Sequence, residues 1–540
     1  MVAALAHSVR AEKNEYDFVI RHASVFDGVH IGAVEADVAI LAGRIAAFAP
    51  DLEGSGKEEI EASGLVLAPG FIDAHTHADF NPLVYPGLPN KILQGVTTEV
   101  TGNCGMSAAP VYGRQREEIR KVWAREGVEI PASLPWDSVL TYRAVLEEAG
   151  MLTNHAFLVG HGNLRGAVMG FEPRPATQKE IQEMKKKLRE ALEQGASGLS
   201  FGLVYLPGVF SNPEEIAELC AEVKRFDGVC AFHVRSEGAK LVESIDEALE
   251  AGRKTGVKIQ LSHLKAGGEK NWPKIDGVFR LIQQAQSQGI DVGADVYPYT
   301  SGYAELAAIL PGAYYERPDR DAFVKDKSHW AEIEAAIREN HKDHPDYWEH
   351  VALGAVPEGS IRKFGGMTLH EIAVKVKRPP ERVLLQILAD TDFHASAFYF
   401  NQSEEVMGRV LAQNYTAVGS DSIADGSVYP HPRAFGAFPK VVREFVREKS
   451  SLVLGRAIRK MTAQPAAHFG LRDRGQIKPG FAADLVLFDP EKIRDMSDYR
   501  HPAKMSEGIA WVFVNGVPAV RDGRATDAKS GRFLAHSKPS

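Results

Sequence analysis

Six residues could do chemistry together if the fold brings them to one place. His75 and His77 stand in Phe71-Ile-Asp-Ala-His75-Thr-His77, and a period of two puts both imidazoles on one side of a strand, able to converge on one metal ion. Chance alone supplies roughly 0.7 such pairs among 19 His in 540 residues, so the pair needs support from its position. Cys104, in Gly102-Asn103-Cys104-Gly105, ends the next apolar segment, and His233 and His263 end two later ones, in Phe232-His233 and Ser262-His263. A lone Cys is more often a small buried hydrophobe, and a lone His at a strand end is usually structural. Four imidazoles and one thiol at equivalent places around one fold are hard to explain by packing. Asp421 follows Val418-Gly419-Ser420 in the same manner. An Asp there is commonly a turn or a helix cap. Beside a bound metal it can take a proton from an acidified water and deliver it to a leaving amine.

The elements that must position these residues are a repeated helix and strand. Thr177 and Glu180 have capping-box spacing, Ile181, Met184, Leu188 and Leu192 recur at helical intervals, and Gly195 precedes the apolar SGLSFGL. In the next unit Asn212 caps, Pro213 takes the first helical position, and Gly228 precedes VCAFHV. KLVESIDEALEAGRKTG leads into VKIQLSH, and DGVFRLIQQAQSQG into IDVGADVYPY. Strands near 70–74, 97–101, 155–160, 197–201, 229–233, 258–262, 290–295 and 415–419 make eight, the number that closes an α/β barrel of the TIM type. All six residues then fall at the C-terminal ends of strands, the face where such barrels carry active sites.

HASAFYF at 394–400 would be a ninth strand and is assigned, with the stretch from about 300 to 392, to an excursion between the last two barrel strands. Its Tyr314, Tyr315, Trp330, Tyr347 and Trp348 could cover a site or pack the insertion itself. Residues 1–70 and 474–540 read instead as short alternating strands between Gly and Asp turns, and the two chain ends are expected to form one small β-sandwich around the 71–473 barrel.

Composition narrows the function classes. With 63 Lys and Arg against 71 Asp and Glu, the net charge is −8, and no basic block could follow a phosphate backbone, which argues against a nucleic-acid partner. No run approaches the roughly 20 apolar residues of a membrane span. The start, MVAALAHSVRAEKNEYDF, lacks a cationic n-region and a long apolar core, so it does not read as a signal peptide. Cys104, Cys220 and Cys230 have no CxxC spacing and leave at least one thiol unpaired, which fits a reducing compartment. A cytoplasmic location is expected.

GFIDAHTHADF with a downstream QIKPGFAADLVLFDP resembles the amidohydrolase superfamily. GVTTEVTGNCG, FHVRSEG, LSHLK, DVYPYTSG, and GSDS followed by HPRAFGAFP are similar to its N-acyl-D-amino-acid deacylase (D-aminoacylase) family, in the right order and over nearly the whole chain. The resemblance implies Zn2+ held tightly by Cys104, His233 and His263, with a weaker or partly occupied second site at His75 and His77. It implies that Asp421 is the general base and then the acid, and that Lys265, Arg433, Tyr205, Tyr297 and Ser301 hold the carboxylate of a small N-acyl amino acid. Arg can do so bidentately. Arg235 and Glu237 are open between partners of His233 and a surface ion pair.

Many cyclic-amide hydrolases of the superfamily carry a carboxylated Lys on the fourth strand, whereas GASGLSFGLVYLPG has none. That disfavours a cyclic-amide reading, and the reaction that the resemblance implies is hydrolysis of a linear N-acyl-D-amino acid. The alternatives are another amide, such as a dipeptide with a C-terminal D-residue or a cyclic amide, and a non-catalytic scaffold. The preference for the D-enantiomer comes from the resemblance only.

Overall fold

The computed structural model describes residues 15–112, 115–125, 130, 134–315, 317, 319–357, 359–423, 425–427 and 429–537. Most of the segment read for a leader, residues 1–14, lies outside the described residues. The chain begins with β1 (Glu15–Val25), β2 (Val34–Leu41), β3 (Arg44–Ala49), β4 (Ser55–Glu61) and β5 (Val66–Pro69). Here β1 pairs antiparallel with β2 and parallel with both β4 and β5, so the sheet forks at its centre.

Gly70 alone separates β5 from the barrel. The barrel strands are β6 (Phe71–Asp73), β7 (Val96–Thr101), β8 (Asn154–Gly160), β9 (Gly198–Gly202), β10 (Val229–His233), β11 (Lys258–Leu261) and β12 (Val292–Val296). An excursion follows, with β13 (Gly302–Glu305), β14 (Val351–Leu353) and β15 (Ser396–Tyr399), before β16 (Thr416–Val418) completes the set. Pairing runs in parallel from β6 to β12 and then to β16. The ring closes where Ala74 N donates to Val418 O (3.1 Å) and Thr76 pairs with Ser422. These are the eight expected strands, each with bounds within two residues of the apolar runs. Nearly every residue in them is buried, as expected for parallel strands with helices outside and side chains within.

The crossover helices start where their caps lie. Thr177 accepts from Glu180 N while Glu180 accepts from Thr177 N at 2.7 Å, opening helix Gln178–Glu193, which buries Ile181, Met184, Leu188 and Leu192. Asn212 accepts from Glu215 N at 2.9 Å to start helix Pro213–Lys224.

The excursion has its own three-stranded antiparallel sheet, ordered β13-β15-β14, so the supposed ninth strand belongs there. Its core is separate, with Leu306, Trp330, Ile333, Trp348, Leu384 and Phe393 buried and Tyr314, Tyr315 and Tyr347 packed on it. Of the two readings of those aromatic residues, packing of the insertion is the observed one. The strands β13 and β14 had no sequence signal, being four and three residues long.

After the barrel, β17 (Leu485–Phe488), β18 (Ile509–Val514), β19 (Val517–Arg521) and β20 (Arg524–Ala525) return to β5, giving a nine-stranded sheet made from both chain ends. Ile20, Val38, Ile60, Leu67, Leu487 and Phe513 share its core. Among the described residues no helix is long and apolar enough to cross a membrane.

A buried polar knot ties this sheet to the barrel. Asp484, just before β17, accepts from Asn154 Nδ2 at the start of β8 (3.0 Å) and from Asn515 N (2.6 Å), and pairs with Arg474. Removing the cation leaves a buried carboxylate without its counter-charge. Arg474→Leu is expected to cost about 3–5 kcal/mol of stability, read as a lower urea midpoint, and adding Asp484→Asn should recover part of the loss.

Candidate active site

Each chemistry-bearing residue sits just past the C-terminal end of a barrel strand. His75 and His77 follow β6, Cys104 follows β7, His233 ends β10, His263 follows β11 and Asp421 follows β16. Three of them turn sharply: Cys104, His263 and Asp421 have φ of 52°, 37° and 50°, a left-handed conformation that is uncommon for residues with a side chain and gathers at functional sites. The turn at Cys104 also needs its glycines. Gly102 has φ +76°, and a Cβ there would lie 1.9 Å from Leu158 O. Gly202, at the end of β9, meets the same turn, since a Cβ on it would lie 2.1 Å from Cys104 O. The fourth strand thus ends in a glycine against which the Cys104 loop packs.

The donor atoms converge. Cys104 Sγ lies 3.4 Å from both His75 Nε2 and His263 Nε2, and His263 Nε2 lies 3.0 Å from His233 Nδ1. Asp421 Oδ1 is 3.4 Å from His75 Nε2 and from His77 Nε2. The ligand atoms of His75, Cys104, His263 and Asp421 all fall within 4.8 Å of one another, and those of His233, Glu237 and His263 form a second such group. In a tetrahedral site with Zn–S near 2.3 Å and Zn–N near 2.1 Å, the S···N edge is about 3.6 Å. The observed separations, and a donor set of thiolate, imidazole and carboxylate, fit zinc.

Carboxylates behind the imidazoles orient them. Asp295, at the end of β12, lies 3.2 Å from His75 Nδ1 and accepts from His263 N at 2.8 Å. Glu237 lies 2.9 Å from His263 Nδ1, so an Nδ1 proton can be donated to it, leaving the Nε2 lone pair facing Cys104. Burial works against charge on His77 and His263, and Lys265 opposes it further on His263. Asp421 beside the first, with Cys104 and Glu237 beside the second, outweighs this and raises each to about 9. Burial likewise pushes the Cys104 thiol up, yet His75 and His263 hold it well below its ordinary value. A thiolate, two carboxylates and four imidazoles in one buried place form a set for which a metal ion competes with protons.

The cavity in front of these groups has a volume of about 250 Å³. Lys265, Tyr205, Tyr297 and Arg433 are on its wall. Arg433 pairs with Asp421 at 2.9 Å and lies over the Tyr297 ring, 4.5 Å from its centroid. Burial opposes ionisation of Asp421, but Arg433 and the histidines keep its carboxyl well below the usual range. Lys265 pairs with Glu237. Tyr297 accepts from Gln402 Nε2 at 2.8 Å, and the Tyr205 ring meets His233 edge-on at 4.8 Å.

Ser301 is the exception among the expected residues. It is fully buried and its hydroxyl lies 2.8 Å from His431 Nε2, behind the wall and not on it. Arg235 pairs with Glu247 at 3.0 Å and bonds Val209 O, so it is a structural cation, whereas Glu237 does support the histidines.

Sequence reasoning missed Asp295 and Lys91. Asp295 is a carboxylate inside the apolar strand GADVYPY, a pattern that marks an inward-facing functional group. Lys91 carries no such mark. It reaches from the loop before β7 to Asp73 (2.7 Å), Ser420 (2.8 Å) and Ser422 (2.8 Å), on either side of Asp421.

Residues 58–285 and 408–520 match the amidohydrolase family. The chain is 32% identical to a D-aminoacylase of Alcaligenes xylosoxydans xylosoxydans, over 98% of this chain and 99% of the relative. It is 33% identical to an N-acyl-D-aspartate deacylase of the same organism, over 96% of this chain and 95% of the relative. Its fold is similar to the crystal structure of N-acyl-D-glutamate deacylase from Bordetella bronchiseptica complexed with zinc and a phosphonate inhibitor, with a TM-score of 0.81 and 30% identity over 97% of this chain and 100% of that one.

Loss of a carboxylate that orients a ligating imidazole weakens metal binding by roughly 10–100-fold. Glu237→Gln should show that loss in a chelator competition titration while its circular dichroism stays unchanged.

Proposed function

The chain belongs to the amidohydrolase family, and from that premise we propose that it hydrolyses the amide bond of N-acyl-D-amino acids, releasing a carboxylate and a free D-amino acid, with zinc as cofactor. The observation that carries this reading is the meeting of Cys104, the histidines and Asp421 within one buried cluster, with Arg433 and Lys265 beside it. Choice of the D-enantiomer rests on the relatives.

In this reading Cys104, His233 and His263 would hold the tight zinc, and His75 and His77 would hold a second, weaker one. Zinc bound there would polarise the scissile carbonyl and acidify a water. Asp421, kept ionised by Arg433, takes the proton of the attacking water and returns it to the departing nitrogen. Lys265 and Arg433 receive the α-carboxylate, with Tyr297 backing Arg433 and Tyr205 closing the side next to His233. A substrate carboxylate on Arg433 shares that guanidinium with Asp421, so binding moves the base toward an ordinary carboxylate just when it must accept a proton.

The division of the chain at about residues 70 and 474, with a hydrolase barrel between two halves of one sheet, belongs to the same proposal. All three cysteines are buried free thiols, which fits a reducing compartment, and we place the protein in the cytoplasm, acting on a small molecule.

Asp421→Asn is expected to lower kcat on N-acetyl-D-methionine by roughly 10²–10⁴-fold while zinc is still bound at Cys104, His233 and His263, and N-acetyl-L-methionine should not be a substrate of either protein. Unchanged kcat, or equal turnover of both enantiomers, would overturn the assignment.

A further inference from the structure

A D-aminoacylase, an N-acyl-D-aspartate deacylase and an N-acyl-D-glutamate deacylase have much the same identity to this chain, so resemblance does not choose a side chain. The cavity wall does. Two described cations stand on it, Lys265 and Arg433, and each already faces an anion, Glu237 and Asp421. Neither anion is dispensable, since Glu237 orients His263 and Asp421 moves the proton. Lys265 and Arg433 can therefore meet one incoming carboxylate, the one every amino acid carries. A second carboxylate on the side chain finds no further cation among the described residues of the wall, and it would lose hydration beside Glu237 and Asp421.

Apart from the uncharged amide of Asn401, what remains of the wall is mostly apolar. Met106 and Val204 come from the barrel loops, Ile423 follows Asp421, and Tyr303, Ala304 and Tyr399 come from β13 and β15 of the excursion. The two tyrosine hydroxyls are engaged within the excursion: Tyr303 accepts from Ser396 Oγ at 2.6 Å, and Tyr399 donates to Glu305 O at 2.8 Å. Both hydroxyls thus already have a partner inside the excursion. Burial of an apolar side chain on such a surface is worth roughly 10- to 100-fold in affinity.

We propose that the amino acid released by this enzyme has an uncharged, apolar side chain of the size of leucine, methionine or phenylalanine, selected by Tyr303, Ala304 and Tyr399. This rests on the deacylase reading above and deepens it.

The test is kcat/KM of the zinc-loaded protein for the N-acetyl derivatives of D-methionine, D-leucine, D-phenylalanine, D-glutamine, D-glutamate and D-aspartate. Values for the first three should exceed those for the two acidic compounds by about 100-fold or more, with glutamine above glutamate because the two differ in charge and little in size. Turnover of D-glutamate or D-aspartate equal to or above that of D-methionine overturns the side-chain assignment and leaves the deacylase reading standing. No turnover of any of the six removes both. Ala304→Arg then adds a cation to the wall and should raise the D-glutamate to D-methionine ratio by tenfold or more. An unchanged ratio would show that this wall does not face the side chain.

Discussion

The seam between β6 and β16 is the contact on which the site depends. Asp421 N donates to His75 O at 2.7 Å, and His77 N donates to Ser422 O at 2.9 Å. These main-chain bonds join the first and last strands of the barrel and set two imidazoles and the carboxylate in one register. Lys91 secures the seam from behind, with its ammonium among Asp73, Ser420 and Ser422. A buried Lys is costly without anions; Asp73, Glu99 and Asp425 around it more than offset its burial and raise its pKa above the ordinary value. The same interactions that close the fold thus place the proton carrier.

Electrostatics in front of the seam is a balance of close pairs. Cys104 is held as a thiolate by imidazoles, Asp421 as a carboxylate by Arg433, and Lys265 by Glu237. Each group's proton affinity is set in part by its neighbour, so none acts alone. A divalent cation in the donor cluster and a carboxylate on Arg433 enter an arrangement already biased toward both.

The excursion between β12 and β16 completes the cavity. It has its own core, while its strands β13 and β15 supply Tyr303, Ala304 and Tyr399 to the wall. Reaction chemistry comes from the barrel's strand ends, and part of the ligand's surroundings comes from an inserted unit, which is why one barrel can serve different substrates.

Much of this was legible in the sequence. Helix and strand repeats, capping residues and eight apolar runs specify the barrel, because local propensity and burial act within each short unit. His75, His77, Cys104, His233, His263 and Asp421 were legible because strand ends are recognisable and the residue types are rare there. Tertiary structure alone decided how these groups pair. It set Cys104 between His75 and His263, put Asp295 behind His75, bound Arg433 to Asp421, and turned Ser301 away toward His431. The partners in these contacts are separated by 12 to 220 residues, and no local period records which side chain will meet which across a closed ring. The short strands β13 and β14 went unseen for the same reason, since their pairing with β15 and not their own three or four residues makes them strands.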